Sequence, residues 1–453
     1  MTGNEAAPLA PLPTTRRGFA STAQAAIYRP GISGTHTAVP VHPDVLEAAA
    51  RKAMSAEAAA YIIGSAGAER TTAANRAAFG RWQLWPRPLR DVSTRDLSIE
   101  LFGTRRPTPF VLAPLGVMEM VNPEADVAVA RAAAALGVPY TLSNQASRPM
   151  EEVARATPGA PRWFQLYWSS SDELNASLLR RAEASGCEAI VVTLDTHLLG
   201  WRTRDLDMAY SPFIRGKGIA QYTSDPVFAQ LVRDRVKADA AAQSNGAASP
   251  AAAGPPLKMN PKAVAAGVQL ARSGRRLTGV GLRDSMRSPL PRAAVETFQR
   301  VFSTPTLTWA DLAKAREWTK LPIILKGIVH PDDASGAIEA GVDGVWVSNH
   351  GGRQIDQSVP TLDVLPKIVD RIDGKVPVVF DSGIRGGADA AIALALGATA
   401  IAIGRPYAYG LALAGEAGVN EVVRNHIAEL DITLALGGHT SIGQLGSESL
   451  RAV

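Results

Sequence analysis

From Pro109 to the C-terminus, short apolar runs alternate with longer stretches in which apolar residues recur every three or four positions. The runs have the length and composition of strands buried on both faces, and the longer stretches read as helices with one packed side. Strands are expected at Phe110–Ala113, Val138–Leu142, Arg162–Tyr167, Ala189–Leu194, Pro322–Lys326, Gly344–Ser348, Pro377–Asp381 and Ala400–Gly404. Helices are expected at Pro123–Leu136, Met150–Ala156, Asp172–Ser185, Pro331–Ala340 and Ala388–Leu396, with Asp172 as an N-cap. Eight strands alternating with helices predict a (β/α)8 TIM barrel. An open doubly wound sheet is the alternative. It calls for a glycine fingerprint in the first turn, and Ala113-Pro114-Leu115-Gly116 carries none.

Outside the repeat, the first 20 residues are rich in Pro, Ala and Thr, and residues 1–42 read as a flexible extension. Residues 43–108 form a helical N-terminal segment bearing Tyr61, with Trp82, Trp85 and Pro86 suggesting packing before the barrel, and residues 109–453 form the barrel itself. A long insertion, 203–305, follows the fourth strand. Its middle, Ala238 to Pro256, is nearly all small and polar residues and is expected to be disordered. Its flanks carry Tyr210, Phe213, Tyr222, Phe228 and Phe302, which can pack. On the catalytic rim of a barrel such an insertion is either a lid or a surface loop.

The 453 residues, 46% of them hydrophobic, suffice for a large core. A formal charge of +5 without a Lys/Arg cluster interleaved with aromatics argues against nucleic acid. The single cysteine, Cys187, excludes an intrachain disulfide, fits a reducing compartment such as the cytoplasm, and reads as a packing residue. No apolar run is long enough to span a membrane, and Arg16-Arg17 lacks the apolar stretch of an export signal. The seven histidines are scattered without metal-ligand spacing.

Chemistry in this fold collects where the strands run out. Those positions hold Ser143, Gln165, Tyr167, Thr193, Asp195, Lys326, Ser348, His350, Arg353, Asp381, Arg385, Gly404 and Arg405. The sixth strand runs into Ser348-Asn349-His350-Gly351-Gly352-Arg353, where two glycines allow a sharp turn, a histidine can take a proton and an arginine can clamp a carboxylate. Asp381-Ser382-Gly383-Ile384-Arg385 and Gly404-Arg405 end the last two strands, where barrels often hold phosphate. Ser143, Gln165, Thr193 and Lys326 suit a flat heterocycle with carbonyl and imide edges, and the lysine would stabilise negative charge on its reduction. Phosphate and a redox heterocycle together suggest FMN. An ion pair between Lys326 and Asp381, or a Schiff-base lysine in a non-redox barrel, is the alternative. Asp195 is placed to orient His350, and Tyr61, Tyr167, Arg202 and Arg353 to surround a small acid, with core packing as the alternative for the tyrosines.

These motifs resemble those of the FMN-dependent L-2-hydroxy acid oxidizing enzymes. The resemblance runs from about Pro43 to the C-terminus, excluding the Ala-rich middle of the insertion. It rests on Ser348–Gln354, Asn75-Arg76-Ala77-Ala78-Phe79, Phe164–Tyr167, Thr193–Thr196, Leu325-Lys326-Gly327, Asp381–Arg385 and Ile403–Pro406. Within the family, Leu199–Leu206, Tyr222–Phe228 and Tyr407–Ala412 look most like lactate 2-monooxygenase. The resemblance implies His350 as base, Asp195 as its support, Tyr167 on the substrate oxygen, and Arg353 with Tyr61 and Arg202 on the carboxylate. It also implies FMN held by Pro114, Leu115, Gly116, Ser143, Gln165, Thr193, Lys326, Ser348, Asp381, Ser382, Gly383, Arg385, Gly404 and Arg405, with Gly116 leaving room at the reactive face. It further implies L-lactate as the leading substrate, O2 as acceptor, decarboxylation to acetate, and a homotetramer or larger assembly. A simple oxidase and a quinone-linked dehydrogenase are the alternatives. Asn144-Gln145-Ala146 and the length of the insertion depart from the family's pattern and leave the substrate side chain and the product open.

Overall fold

The structure, a computed structural model, describes residues 18–244 and 259–453. Its centre is a closed barrel of eight parallel strands: β1 Phe110–Leu112, β2 Tyr140–Leu142, β3 Arg162–Tyr167, β4 Ala189–Thr193, β5 Ile323–Ile328, β6 Gly344–Val347, β7 Val378–Phe380 and β8 Ala400–Ile403. Each pairs with its neighbours in chain order, and β8 closes onto β1 through Ile401–Phe110 and Ile403–Leu112. Every predicted strand is present to within two residues at each end. The doubly wound alternative is excluded by the closure.

Alternation along the strands sorts the side chains. Val111, Trp163, Val191, Ile324, Trp346, Val379 and Ala400 form an apolar plug inside the barrel. The hairpin of Ile99–Leu101 and Thr104–Arg106 closes its lower end, with Phe102 edge-on to Trp163 at 5.5 Å. Two residues further along the same strands, toward the carboxyl ends, lie Gln165, Thr193, Lys326, Ser348 and Asp381, with Ser143 just past the end of β2. An apolar plug therefore carries a polar floor, and that floor is the base of the site.

Three expectations need correction. The extension is not flexible throughout: Gly18–Gly31 is a helix lying on the long C-terminal helical stretch Arg405–Gly437, which is kinked at Ala414 and Gly415. Its end is fixed by Ala20 N donating to Asp431 Oδ2 at 2.8 Å, and Asp431 pairs with buried Arg95 at 2.6 Å. An apolar face, Phe19, Ala20 and Ala23, carries this helix into the core despite the polar text around it. The second correction is in the insertion, where Ala238 to Ser244 completes the helix Pro226–Ser244; alanine's helix propensity outweighs the small-residue bias there. The remainder of the segment expected to be disordered lies outside the described residues. The third is the cap of helix Asp172–Ala184, which is Ser171, whose Oγ accepts from Leu174 N. Before the barrel, Trp82 sits in a short strand paired with Leu450–Ala452, but Trp85 is exposed.

The insertion forms further helices, among them Ala220–Thr223, Pro261–Thr278 and Leu290–Val301. Phe213, Tyr222, Phe228 and Phe298 are buried, with Phe302 stacked on Phe298 at 5.1 Å. Phe213 meets Tyr61 edge-on at 6.3 Å and Phe302 meets Tyr167 at 6.5 Å, so the insertion packs directly behind two residues of the barrel mouth. Among the described residues no helix is long and apolar enough to cross a membrane.

Candidate active site

A cleft open to solvent lies at the carboxyl ends of the strands. One wall is the turn after β6. His350, Gly351 and Gly352 all have positive φ, at 59°, 63° and 79°. A Cβ on Gly351 would stand 2.9 Å from Arg405 Nη1, and one on Gly352 would stand 2.5 Å from Thr72 Oγ1. Gly352 is thus required by the close packing of the turn on the N-terminal segment, and Gly351 is favoured by its positive φ beside the Arg405 side chain. The left-handed conformation of His350 is uncommon for a residue with a side chain. It is held by the neighbouring contacts: Asn349 exchanges two 2.8 Å hydrogen bonds with Asn75, and Ser382 Oγ accepts from Gly351 N at 3.0 Å. Asn75 is therefore a brace for the turn that carries His350.

His350 Nδ1 lies 2.8 Å from Asp195 Oδ1, which also accepts from Thr196 Oγ1 at 3.0 Å. This leaves Nε2 for a ligand. Burial pushes the His350 pKa below its ordinary value, outweighing the opposing pull of Asp195. Burial alone would raise the Asp195 carboxyl, but the charges of His350 and Lys326 and the bonds from His350 and Thr196 hold it down at about 2. The pair is therefore a neutral imidazole backed by a carboxylate, the arrangement of a general base.

Arg353 and Arg202 are both buried, and among the described residues neither has a carboxylate within ion-pair distance. Arg353 Nη1 donates to the carbonyls of Tyr61 and Gly64 at 2.5 and 2.7 Å, and its guanidinium lies 5.1 Å from the Tyr61 ring centroid. Arg202 lies over the same ring at 5.9 Å and donates to Gln354 Oε1 at 3.1 Å. Burial, with the charge of Arg202, pushes Arg353 down to about 9. The charge of Asp205 opposes part of this shift, and two buried guanidiniums on one cleft can receive an anion. Gln354, not predicted as a site residue, links the pair to the segment bearing Asp195 through Nε2–H to Asp195 O at 2.8 Å. Burial raises Tyr167 well above the ordinary phenol value, so its hydroxyl stays protonated.

The fit of FMN is tested by groups left unpaired. Gln165 Nε2, Thr193 Oγ1 and Arg385 Nε are buried without a partner among the described residues. Buried polar groups of this kind call for a bound partner. A Cβ on Gly404 would meet nothing within 4 Å. Gly404 precedes the helix Arg405–Gly437, whose start has no side-chain cap, whereas the start of helix Gly387–Ala395 is taken by Glu429 at 2.7 Å. A bare helix N-terminus beside open space suits phosphate. These residues fit FMN. Gly404→Val should fill that space and weaken FMN binding by about 1.5–3 kcal/mol, roughly ten- to a hundredfold. Fluorescence of released flavin reads this, with far-UV circular dichroism expected to stay unchanged.

Of the residues singled out from sequence, Tyr61, Pro114, Leu115, Gly116, Tyr167, Arg202, Lys326, His350, Arg353, Asp381, Ser382, Gly383, Arg385, Gly404 and Arg405 line the cleft. Ser143, Gln165, Thr193 and Ser348 sit in the floor without lining it, and Asp195 stands behind His350. Several side chains are engaged within the protein. Ser348 Oγ accepts from Lys326 Nζ at 2.9 Å and from His350 N at 3.1 Å. Asp381 accepts from Trp346 Nε1 at 2.9 Å and lies 3.7 Å from Lys326, so the ion pair set against cofactor binding exists at the cleft wall. Arg405 donates to Ile62 O, Gly351 O, Gly64 O and Ser65 Oγ, which makes it a clasp between the N-terminal segment and the His350 turn. Gly116 does not leave open room: a Cβ there would stand 2.9 Å from Gln145 Cβ, and Gln145 lines the cleft beside it. Its signal in the sequence was the Asn144-Gln145-Ala146 departure. Among the described residues no cluster could hold a metal, and buried Cys187, pushed up to about 12 by burial, lies away from the cleft.

The profile of the FMN-dependent dehydrogenase family matches residues 50–452. The chain is 40% identical over 413 residues to an L-lactate oxidase from Lysinibacillus sphaericus, covering 90% of each chain. It is 35% identical over 398 residues to a 4-hydroxymandelate oxidase from Amycolatopsis orientalis, covering 88% of this chain and 94% of that one. A crystal structure of mandelate oxidase superposes with a TM-score of 0.70 at 32% identity, covering 92% of this chain and 99% of the other. Fold, site and relatives define an FMN-dependent α-hydroxy acid oxidoreductase. The chain belongs to the FMN-dependent dehydrogenase family.

Proposed function

We propose that this enzyme oxidises a small L-2-hydroxy acid, foremost L-lactate, with O2 as final acceptor, and that it decarboxylates the product before release. The observation that carries the substrate class is the pair of buried guanidiniums, Arg353 and Arg202, on the same cleft as a neutral His350 backed by Asp195. The carboxylate lies against Arg353, with Arg202 and the Tyr61 hydroxyl beside it. Tyr167 donates to the C2 oxygen. His350 Nε2 takes the hydroxyl proton, and Asp195 stabilises the imidazolium that results. FMN, when bound, accepts the two electrons and the C2 hydrogen and passes the electrons to O2. Lys326, Gln165, Thr193 and Ser143 serve the ring edge, with Pro114, Leu115 and Gly116 along one face. Gly383, Arg385, Gly404 and the backbone N–H of Arg405 serve the phosphate, and Ser348, Asp381 and Ser382 brace the floor and the catalytic turn.

The decarboxylating outcome is supported by the insertion, whose Phe213 and Phe302 back the two site tyrosines. An enclosed 2-keto acid would stay long enough to be split, so that lactate and O2 yield acetate, CO2 and water. The name of the L-lactate oxidase relative favours a second reading, release of pyruvate and H2O2. Rapid-quench analysis of one turnover separates them. Acetate and CO2 without accumulated peroxide supports the proposal; pyruvate and H2O2 in equal amounts contradicts it. A homotetramer or larger would cover the exposed apolar residues Leu198, Leu199, Trp201 and Ile355 on neighbouring loops.

A further inference from the structure

We propose that Tyr222, a residue of the insertion, is a positioning residue for the cofactor: through Asn144 it sets which end of the Gln165 amide faces the FMN ring. This rests on the assignment of Gln165 to the ring edge.

Tyr222 and Asn144 are both fully buried, and Asn144 Nδ2 donates to Tyr222 Oη at 2.8 Å and, at the longer distance of 3.5 Å, to Tyr167 O. The same turn is fastened to the insertion by Ala220 N donating to Ala146 O at 3.2 Å. Asn144 N in turn donates to Gln165 Oε1 at 3.1 Å, and Ser143 Oγ donates to the same oxygen at 3.2 Å. A side-chain amide has an acceptor on one branch and a two-hydrogen donor on the other. With Oε1 held by two donors of the turn, Nε2 is the branch left over, and it is buried without a protein partner. Gln165 is thereby fixed as a donor toward a flat ligand with carbonyl or ring-nitrogen acceptors. If the turn slips, Oε1 loses its donors and the amide is free to rotate, presenting an acceptor to acceptors. The Tyr222 ring is held independently of its hydroxyl, edge-on to Phe298 at 4.9 Å and Phe228 at 5.4 Å. The hydroxyl can therefore be removed with the packing kept.

Tyr222→Phe is the test, with Phe228→Leu and Gln165→Leu beside it. Apoprotein of each is titrated with FMN, and the midpoint potential and visible spectrum of each holoenzyme are recorded. For Tyr222→Phe, FMN affinity is expected to fall by about three- to tenfold, with a more negative potential and a shifted spectrum. Gln165→Leu is expected to change the same three quantities at least as much. Phe228→Leu, which loosens the insertion but keeps the hydroxyl, is expected to lower the melting temperature and leave all three unchanged. Tyr222→Phe indistinguishable from the parent, with Gln165→Leu altered, would overturn the relay and spare the ring-edge assignment. An unaltered Gln165→Leu would overturn both. Equal changes in Tyr222→Phe and Phe228→Leu would reduce Tyr222 to packing and overturn the proposal as well.

Discussion

Replacing His350 by glutamine is expected to lower kcat by about 10²–10⁴, the usual contribution of a positioned general base, while FMN stays bound. The magnitude follows from what the site arranges around one nitrogen. Asp195 occupies Nδ1 at 2.8 Å, so the only lone pair offered to a substrate is that of Nε2. Glutamine can keep a contact to Asp195 but cannot accept a proton at neutral pH. The pH profile carries a second check. Burial places the His350 pKa below the usual 6.5, outweighing Asp195. The base is neutral, and active, above that pKa, so kcat/KM should be flat through neutrality and fall as pH drops through a value under 6.5. In Asp195→Asn the charge that raises the imidazole pKa is lost. The acid limb should move to still lower pH, and the plateau should drop because the imidazolium loses its support. An acid limb centred above 6.5 in the parent enzyme would contradict this account of the base.

The second large effect is expected at Arg353. Arg353→Met should reduce kcat/KM by about 2–5 kcal/mol, roughly thirty- to several-thousandfold, the cost of truncating one partner of a buried hydrogen-bonded charge pair. Arg353→Lys should recover only part of it, because an ammonium cannot reproduce the planar fork that grips a carboxylate while also donating to the carbonyls of Tyr61 and Gly64. The loss should be larger for a 2-hydroxy acid than for its amide, which has no negative charge to pair. Steady-state kinetics on both substrates measures this, and equal losses on acid and amide would remove Arg353 as the carboxylate clamp.

The barrel was legible because its strands are apolar on both faces and its helices are not, a contrast that survives without tertiary information. The polar floor was legible for a related reason. In a strand such as Arg162–Tyr167, Gln165 lies two residues past the plug residue Trp163, so its placement at the mouth is fixed by alternation alone. What escaped was set by contacts between distant segments. Nothing local to Asn75 reveals that it exchanges two hydrogen bonds with Asn349, 274 positions away. Nothing local to Arg405 reveals that four acceptors already hold its guanidinium. The helix at Gly18–Gly31 was hidden by a polar flank, and its order comes from Asp431 far along the chain. Gln145 shows the middle case. The sequence marked it as unusual, and only the 2.9 Å approach to the Gly116 position explains why glycine stands there.

The central claim is that an imidazole and a guanidinium act together on a hydroxy acid held over bound FMN. Purified holoenzyme mixed with one equivalent of L-lactate under strict anaerobiosis tests it most directly. The account predicts that the yellow flavin absorption bleaches within the mixing series for the parent enzyme and persists in His350→Gln and Arg353→Met at the same FMN occupancy. A colourless purified protein, or a yellow one that no L-2-hydroxy acid bleaches, would contradict it.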